Sequence, residues 1–197
     1  DLDDGQENFT KKLAKLFTAY SALAGRFQPD ITGFIGQYAH GNEPSHHIVY
    51  LYNYAGEPWK TQFYVRKIMD EFYKNAPDGL IGNEDCGQMS AWYILSAFGF
   101  YPVSPSIPLY DFVTPLFKEA KINLENGKSF TIKAANVSAK NIYVKSIKLN
   151  GKDYRKTFFA HSDLRNGGTL EFEMADAPVK DWFTDFSESK IESNFSV

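Results

Sequence analysis

The sequence lacks several features that would assign a function at once. It contains a single cysteine, Cys86, in 197 residues, so an internal disulfide framework is excluded and the cellular compartment stays open. No apolar run is long enough to span a membrane, and no signal-peptide pattern opens the chain. The 21 basic residues form no patch or run, which disfavours binding to nucleic acids and to anionic membranes.

The chain also lacks an initiator methionine. It starts at Asp1, close to a predicted helix, and we therefore expect it to be a fragment of a longer polypeptide. Aromatic residues, in contrast, are abundant, with 12 tyrosines and 17 phenylalanines. They are typical of a well-filled core, although a sugar-binding cleft would use the same residue types.

The most informative segment runs from Gly82 to Tyr93. It places the adjacent carboxylates Glu84 and Asp85 just before an apolar pattern of helical spacing. The N-terminus of a helix favours anionic oxygens, so we expect the pair to lie there. Such a carboxylate can act as a general base or bind a hard cation, and the alternative is a simple helix cap. Cys86 adjoins the pair, where it is interpreted as a packing residue.

A second segment forty residues upstream, 41–47, repeats the Gly-Asn-Glu tripeptide before another predicted helix. Asn42 and Glu43 offer amide and carboxylate oxygens there, a ligand chemistry that suits calcium better than zinc. His46 and His47 do not form a zinc pair, because neighbours on a helix point about 100° apart. We expect one of them to face the site and leave open which one.

The first half of the chain is predicted to be helical and the second half to consist of strands. Period-two alternation and two Asn-Gly turns, at 126–127 and 150–151, indicate an antiparallel sheet or sandwich. The predicted domains are a helical segment at 1–110, a β segment at 111–182 and a tail at 183–197. The predicted helices run from Asn8 to before Gly25, from Pro44 to Tyr54, from Pro58 to Asn75, and from the acidic pair to before Gly99. The predicted strands are 122–124, 130–134, 142–149 and 170–174.

These segments together resemble glycoside hydrolase family 92, the calcium-dependent exo-acting α-mannosidases. The resemblance covers almost the whole chain and rests on four motifs that occur in the order expected for the family. They are the run from Gln37 to His47, which contains Gly-Asn-Glu-Pro-Ser-His-His; the run from Tyr54 to Gln62, which contains Pro-Trp-Lys-Thr-Gln; the segment from Pro77 to Tyr93; and Gly99-Phe-Tyr-Pro-Val103.

The resemblance implies an α+β fold in which this chain forms the C-terminal part of an (α/α)6 helical barrel followed by a small antiparallel sheet or sandwich. The family's general acid is a glutamate in a Glu-Gly-Asn-x-x-Trp-Gln-Tyr motif, which this sequence does not contain. We therefore expect the isolated chain to be inactive. The runs at 104–108 and 112–115 also depart from the family's glycine-containing versions, which leaves the turns of that linker open.

The resemblance also implies an inverting hydrolysis of terminal α-linked mannose in glycan degradation, assisted by Ca2+. The expected partners are a mannose-containing glycan and the rest of the same polypeptide, with no nucleic acid. Export to the periplasm or surface of a glycan-degrading bacterium is expected on the same ground. The implied site residues are Asp85 as general base with Glu84 as the second choice, Asn83, His46 and Trp59 in substrate binding, and Asn42 and Glu43 as calcium ligands.

Two other functions remain open at this point. The acidic loops could belong to a non-catalytic module that binds carbohydrate or calcium without turnover. The chain could also belong to a related helical-toroid enzyme that acts on another hexose or on a mannosyl phosphodiester. Neither the mannosidic linkage nor the oligomeric state can be read from these residues.

Overall fold

The structure is a computed structural model that describes residues 5–21, 31–181 and 183. Leu23 and Gly25, predicted for the first helix, lie outside the described residues, as does the predicted tail apart from Phe183. The helices are α1 (Gln6–Thr18), α2 (Leu51–Tyr54), α3 (Pro58–Phe72), α4 (Gln88–Ala97) and α5 (His161–Arg165). The strands are β1 (Phe34–Ile35), β2 (Tyr38–Ala39), β3 (Phe100–Tyr101), β4 (Leu109–Phe112), β5 (Glu119–Asn123), β6 (Ser129–Ala135), β7 (Tyr143–Leu149), β8 (Lys152–Tyr154), β9 (Phe158–Ala160) and β10 (Gly168–Ala175).

The predicted helix from Pro44 to Tyr54 is wrong in form. The segment folds as two 3-10 turns, Glu43–Ser45 and Ile48–Tyr50, before the single turn of α2. The Ser45 hydroxyl donates to the carbonyl oxygens of Ala39 at 2.7 Å and Asn42 at 2.9 Å. Bonds of this kind compete with helical pairing of the backbone, and the segment forms tighter 3-10 turns here instead of an α-helix.

The helical half has its own apolar core. Trp92 of α4 and Val65 and Ile68 of α3 are completely buried in it, because both helices turn apolar residues of helical spacing toward the same interior. The exposed side of α4 also carries an apolar residue, Ile94, with 49% of its surface exposed. The helices described here do not close a ring, and the helical barrel stays a prediction.

The second half contains two sheets, with strand orders β5-β6-β10-β7-β8 and β3-β4-β9. All four predicted strands are present, as β5, β6, β7 and β10. The β7–β8 hairpin turns at Asn150 and Gly151, whose φ angles are +53° and +76°, as a tight two-residue hairpin requires.

The prediction of a wholly antiparallel sheet is wrong at one pairing. Strand β10 is antiparallel to β7 but parallel to β6, from Gly168 opposite Phe130 to Glu173 opposite Ala135. The chain leaves β8, passes through β9 and α5, and re-enters the larger sheet between β6 and β7. The alternation of side chains places residues on faces but carries no information on strand direction, so this insertion is not visible in the sequence.

The two sheets face each other across a second core. Phe112 of the smaller sheet meets Phe172 of the larger one with ring centroids 5.9 Å apart, and Phe130 lies parallel to Phe159 at 5.8 Å. Both distances are within the range of favourable aromatic pairs. The β half is therefore a small sandwich of five strands against three.

Side-chain hydrogen bonds join the helical half to the sandwich. Asn53 of α2 donates to the carbonyl of Phe112 at 3.0 Å, and Gln62 of α3 accepts from the backbone of Val144 at 3.0 Å. The predicted domain boundary at residue 110 falls inside β4, and the division into domains stays a prediction. Within the described ranges, none of the helices has the length and apolar character needed to cross a membrane.

Candidate active site

The two Gly-Asn-Glu loops, separated by forty residues, meet in the structure. A methyl group placed on Gly82 would lie 3.0 Å from the carbonyl oxygen of Gly41 and 3.2 Å from its Cα atom. Gly82 also has a φ angle of +75°, a conformation that other L residues adopt at a cost. The close contact between the two backbones explains why the sequence has glycine here, and it brings Asn42 and Asn83 to the same end of the helices.

The first loop presents Asn42 and Glu43, both half-buried. Asn42 precedes the 3-10 turn but its side chain does not cap that turn, although asparagine is a preferred cap. The backbone N–H of His46 donates to the carbonyl of Glu43 at 3.0 Å. The loop is thus held by its backbone and by Ser45.

The second loop has an unusual backbone. Asp85, Cys86 and Gly87 have consecutive φ angles of +50°, +57° and +92°, and left-handed conformations at non-glycine residues occur disproportionately at functional sites. Asp85, Cys86 and Asn83 are exposed. The packing role predicted for Cys86 is therefore wrong, because its side chain lies at the surface of the loop.

Glu84 and Asp85 have different surroundings. The carboxylate of Glu84 accepts from the backbone N–H of Ser90 at 2.9 Å and from the Ser90 hydroxyl at 2.8 Å. Glu84 thereby binds an N–H in the first turn of α4, where helices leave donors without internal partners. The Asp85 side chain is exposed instead. Of the two, Glu84 has the local features of a helix cap and Asp85 those of a group directed to solvent or ligand.

The two neighbouring histidines, His46 and His47, differ in burial. His46 is 2% exposed, and His47 is exposed. His46 Nε2 lies 3.0 Å from the carbonyl oxygen of His40, and Nδ1 lies 3.2 Å from the side-chain nitrogen of Gln88. Burial lowers the pKa of His46; the bond to His40 opposes that shift, and the charge of His47 adds to it. His46 is therefore a neutral ring beneath the loops.

His40 lies under the same loops, although the sequence analysis did not select it. Its Nε2 lies 2.7 Å from the Tyr73 hydroxyl, and its Nδ1 lies 2.9 Å from the Tyr38 hydroxyl. Tyr73 in turn donates to the carbonyl of Met89 at 3.2 Å, so its oxygen accepts the proton of His40 Nε2. Burial lowers the pKa of His40 to about 2. His40 belongs to the Gln37–His47 motif, but nothing in its local sequence indicates that Tyr38 and Tyr73 would be its partners.

Trp59 does not join the loops. It lies at the start of α3, whereas Tyr73, which contacts His40, follows the end of that helix. The length of the helix separates the two positions by roughly 20 Å. Trp59 instead lines a separate cavity of about 340 Å³ with Tyr52, Lys60 and other residues. Its role in substrate binding stays a prediction.

The donor chemistry of the first loop fits calcium. Asn42 and Glu43 supply oxygen atoms, and Ca2+ is bound by six to eight oxygens from carboxylates, amides, carbonyls and water. Among the described residues there is no cluster of three or more histidine, cysteine, aspartate or glutamate side chains that could hold a metal ion. A calcium ion at this loop would therefore need further oxygens from backbone carbonyls, water, a ligand or residues outside this chain.

The comparisons with known proteins point in one direction. The profile of the glycosyl hydrolase family 92 catalytic domain matches residues 1–176. An uncharacterized secreted glycosidase of Arthroderma benhamiae is 31% identical over 137 residues, which cover 68% of this chain and 18% of that protein.

Solved structures give the same result. A family 92 α-mannosidase of Bacteroides thetaiotaomicron is 46% identical with a TM-score of 0.82, over 90% of this chain and 23% of that one. A family 92 inverting mannosidase of the same species is 38% identical with a TM-score of 0.77, over 91% of this chain and 25% of that one. The chain thus spans about a quarter or less of the length of these relatives.

Proposed function

The chain belongs to glycosyl hydrolase family 92, and from that membership we propose that it forms part of an enzyme that removes terminal α-linked mannose from glycans. A similar α-mannosidase from Bacteroides thetaiotaomicron has been solved in complex with mannoimidazole, which supports a mannose-like ligand here. Because the chain spans about a quarter of such proteins, the proposal concerns the full-length polypeptide that contains it.

One observation carries the proposal. The contact between Gly41 and Gly82 brings together the loop that holds Asn42 and Glu43 and the loop that holds Asp85. A glycosidase needs carboxyl groups on both sides of the scissile bond together with groups that orient the sugar. In this proposal the two loops, which meet at one end of the helical half, supply one of these carboxyl groups, that of Asp85, and oxygen atoms that orient the sugar.

Asp85 is the proposed general base of an inverting reaction. It is exposed, while both oxygens of Glu84 already accept hydrogen bonds from Ser90. In an inverting enzyme the base removes a proton from a water that attacks the anomeric carbon, and the acid stands roughly 6.5–9.5 Å from the base. The acid is proposed to come from the polypeptide outside this chain, so the 197-residue chain alone should not hydrolyse mannosides.

Asn42 and Glu43 are the proposed calcium ligands. A bound calcium ion would bind sugar hydroxyls and favour distortion of the ring toward a planar transition state. Asn83, at the meeting point of the loops, is proposed to hydrogen-bond the sugar or the attacking water. His46 is buried beneath both loops, and we propose that it supports them. A contact between His46 and the sugar stays a prediction.

The decisive experiment follows the anomeric protons of released mannose by NMR with an α-mannobiose as substrate. The full-length protein should release β-mannose first, and a chelator should stop the release. Asp85→Asn should lower kcat by more than about a hundredfold while sugar binding remains, and Asp153→Asn, the same substitution at an exposed position on β8, is the control. Binding without any turnover would favour the carbohydrate-binding module instead.

We further propose that the full-length protein is exported. The support is the curated relative described as a secreted glycosidase. Fractionation of the source cells, followed by detection of the protein in each fraction, tests this proposal. Recovery in the cytosol alone would contradict it.

A further inference from the structure

The side chain of Gln88 lies between the two loops. It is the first residue of α4 and directly follows the left-handed run at 85–87. Its side-chain nitrogen lies 3.2 Å from His46 Nδ1 and 3.1 Å from the Tyr101 hydroxyl. An amide nitrogen carries two hydrogens, so one side chain binds two acceptors from two different parts of the chain.

The hydrogen bonds around His46 define its tautomer. Its Nε2 faces the carbonyl oxygen of His40, and a carbonyl only accepts, so Nε2 carries the proton. In the neutral ring Nδ1 is then an acceptor, and it accepts the N–H of Gln88. The His46–Gln88 bond therefore has one direction, in which Gln88 donates.

Backbone bonds continue this link to both loops. The N–H of Gln88 donates to the carbonyl of Asp85 at 3.2 Å, and the N–H of His46 donates to the carbonyl of Glu43 at 3.0 Å. A single chain of hydrogen bonds thus runs from Asp85 through Gln88 and His46 to Glu43. It joins the proposed base to a proposed calcium ligand without using either of their side chains.

The second loop needs such a restraint. Asp85 and Cys86 are both left-handed, and each non-glycine residue in that conformation costs roughly 1 kcal/mol or more. Neither is buried, so packing does not hold them in place. Glu84 anchors the loop to its own helix through Ser90, whereas Gln88 anchors it to the other loop.

We propose that Gln88 is a positioning residue that sets the placement of Asp85 relative to Asn42 and Glu43 by coupling the two loops through His46. The inference rests on the proposed function for its catalytic consequence, but the coupling itself is a property of the fold. Gln88 touches neither the sugar nor the reacting atoms in this scheme. It acts by limiting how far the two loops can move apart.

The test compares Gln88→Met with Gln62→Met in the full-length protein. Gln62 is buried, 3% exposed, whereas Gln88 is half-buried, and the Gln62 side chain also joins two elements, since it accepts from the N–H of Val144. Both variants remove the side-chain amide of a glutamine that bridges two elements, but only Gln88 lies between the loops. The measurements are kcat, KM, the half-saturating calcium concentration and hydrogen exchange in segments 41–46 and 82–90.

Gln88→Met should lower kcat and weaken calcium binding by about 10- to 100-fold each, the usual effect of removing a residue that orients ligands. Exchange should become faster in both loops, including 41–46, which is remote in sequence from the substitution. Gln62→Met should leave kcat, calcium dependence and loop exchange near the wild-type values even if it lowers thermal stability. Equal behaviour of the two variants would overturn the proposal.

A second variant keeps the test open if Gln88→Met does not fold. Gln88→Leu removes both donating hydrogens with a neutral side chain of similar size, which leaves the Nδ1 lone pair of His46 without its donor, so it should show the same losses. Wild-type kcat in Gln88→Leu would overturn the proposal. If the wild-type protein releases no mannose, the proposed function has failed. Hydrogen exchange at 41–46 then tests the coupling of the two loops alone. Faster exchange in either Gln88 variant supports the coupling, and unchanged exchange refutes it.

Discussion

Asp111 makes the stability of this fold depend on pH in an unusual direction. It lies on β4 and is 2% exposed. Its Oδ2 accepts from the Tyr54 hydroxyl at 2.9 Å, whereas its buried Oδ1 has no hydrogen-bond partner among the described residues. Burial raises the pKa of Asp111 from 3.8 to about 7, and the polar side chains of Tyr54 and Asn53 only partly oppose that shift.

The direction of the pH dependence follows from the difference in the pKa of Asp111 between the folded and unfolded states. The folded protein binds this proton more tightly than the unfolded chain does, so the group contributes stability that is fully present below about pH 4 and is lost as the pH rises to about 7. The difference between about 7 and 3.8 corresponds to about 4 kcal/mol of unfolding free energy. It is the cost of burying the carboxylate with too few donors.

Asp111→Asn removes this dependence. The amide keeps the shape, accepts the Tyr54 hydroxyl and stays neutral at every pH. At pH 8 the variant should be more stable than the wild type by up to about 4 kcal/mol, and near pH 4 the two should agree to within about 1 kcal/mol. The assay is urea unfolding of both proteins at several pH values between 4 and 8.5, with Asp153→Asn, an exposed position on β8, as the matched control.

Two results would refute this reasoning. A constant difference between wild type and Asp111→Asn across the pH range would mean that the carboxyl does not titrate in the folded protein between pH 4 and 8. A variant that is less stable than the wild type at pH 8 would mean that the ionised carboxylate is well satisfied. Tyr54→Phe gives an internal check, because removal of the one donor at 2.9 Å should lower stability more at pH 8 than at pH 4.

The remaining predictions concern the two loops. Gly82→Ala should destabilise the protein by about 2–4 kcal/mol in urea unfolding, because it adds a clash with Gly41 to the cost of a left-handed φ; Gly127→Ala has a similar φ of +78° with open space around it and should cost only about 1 kcal/mol. Equal losses would show that the contact between the loops is loose. Glu43→Gln should raise the half-saturating calcium concentration by more than about tenfold as measured by calorimetry, whereas unchanged calcium binding would remove Glu43 from the ligand set.

The local chemistry of the sequence predicted much of the fold. The strands β5, β6, β7 and β10 follow from alternating side chains, because each strand has one face in the sandwich core. The turn at Asn150 and Gly151 follows from the left-handed angles that a two-residue hairpin needs. Helix α3 begins at Pro58 as expected, because proline suits the first position of a helix.

Other features depend on contacts between distant residues. The helix expected after Pro44 is broken into 3-10 turns, where the Ser45 hydroxyl also donates to the carbonyl of Ala39, a contact that forms only once the chain has folded back. The parallel pairing of β10 with β6 depends on where the chain re-enters the sheet. Trp59 belongs to one of the family motifs, yet it lies at the start of helix α3, whereas Tyr73, which contacts His40 beneath the loops, follows the end of that helix.

The two Gly-Asn-Glu loops show most clearly which features can be predicted from the sequence and which depend on tertiary contacts. The family, the oxygen-rich tripeptides and the glycines that let two backbones approach follow from the sequence, because these are properties of residue type and local conformation. Three features depend on tertiary contacts: His46 and not His47 lies inside, Glu84 caps α4 while Asp85 is exposed, and Gln88 joins the two loops. Burial and hydrogen-bond partners depend on which segments meet, and no local pattern records that.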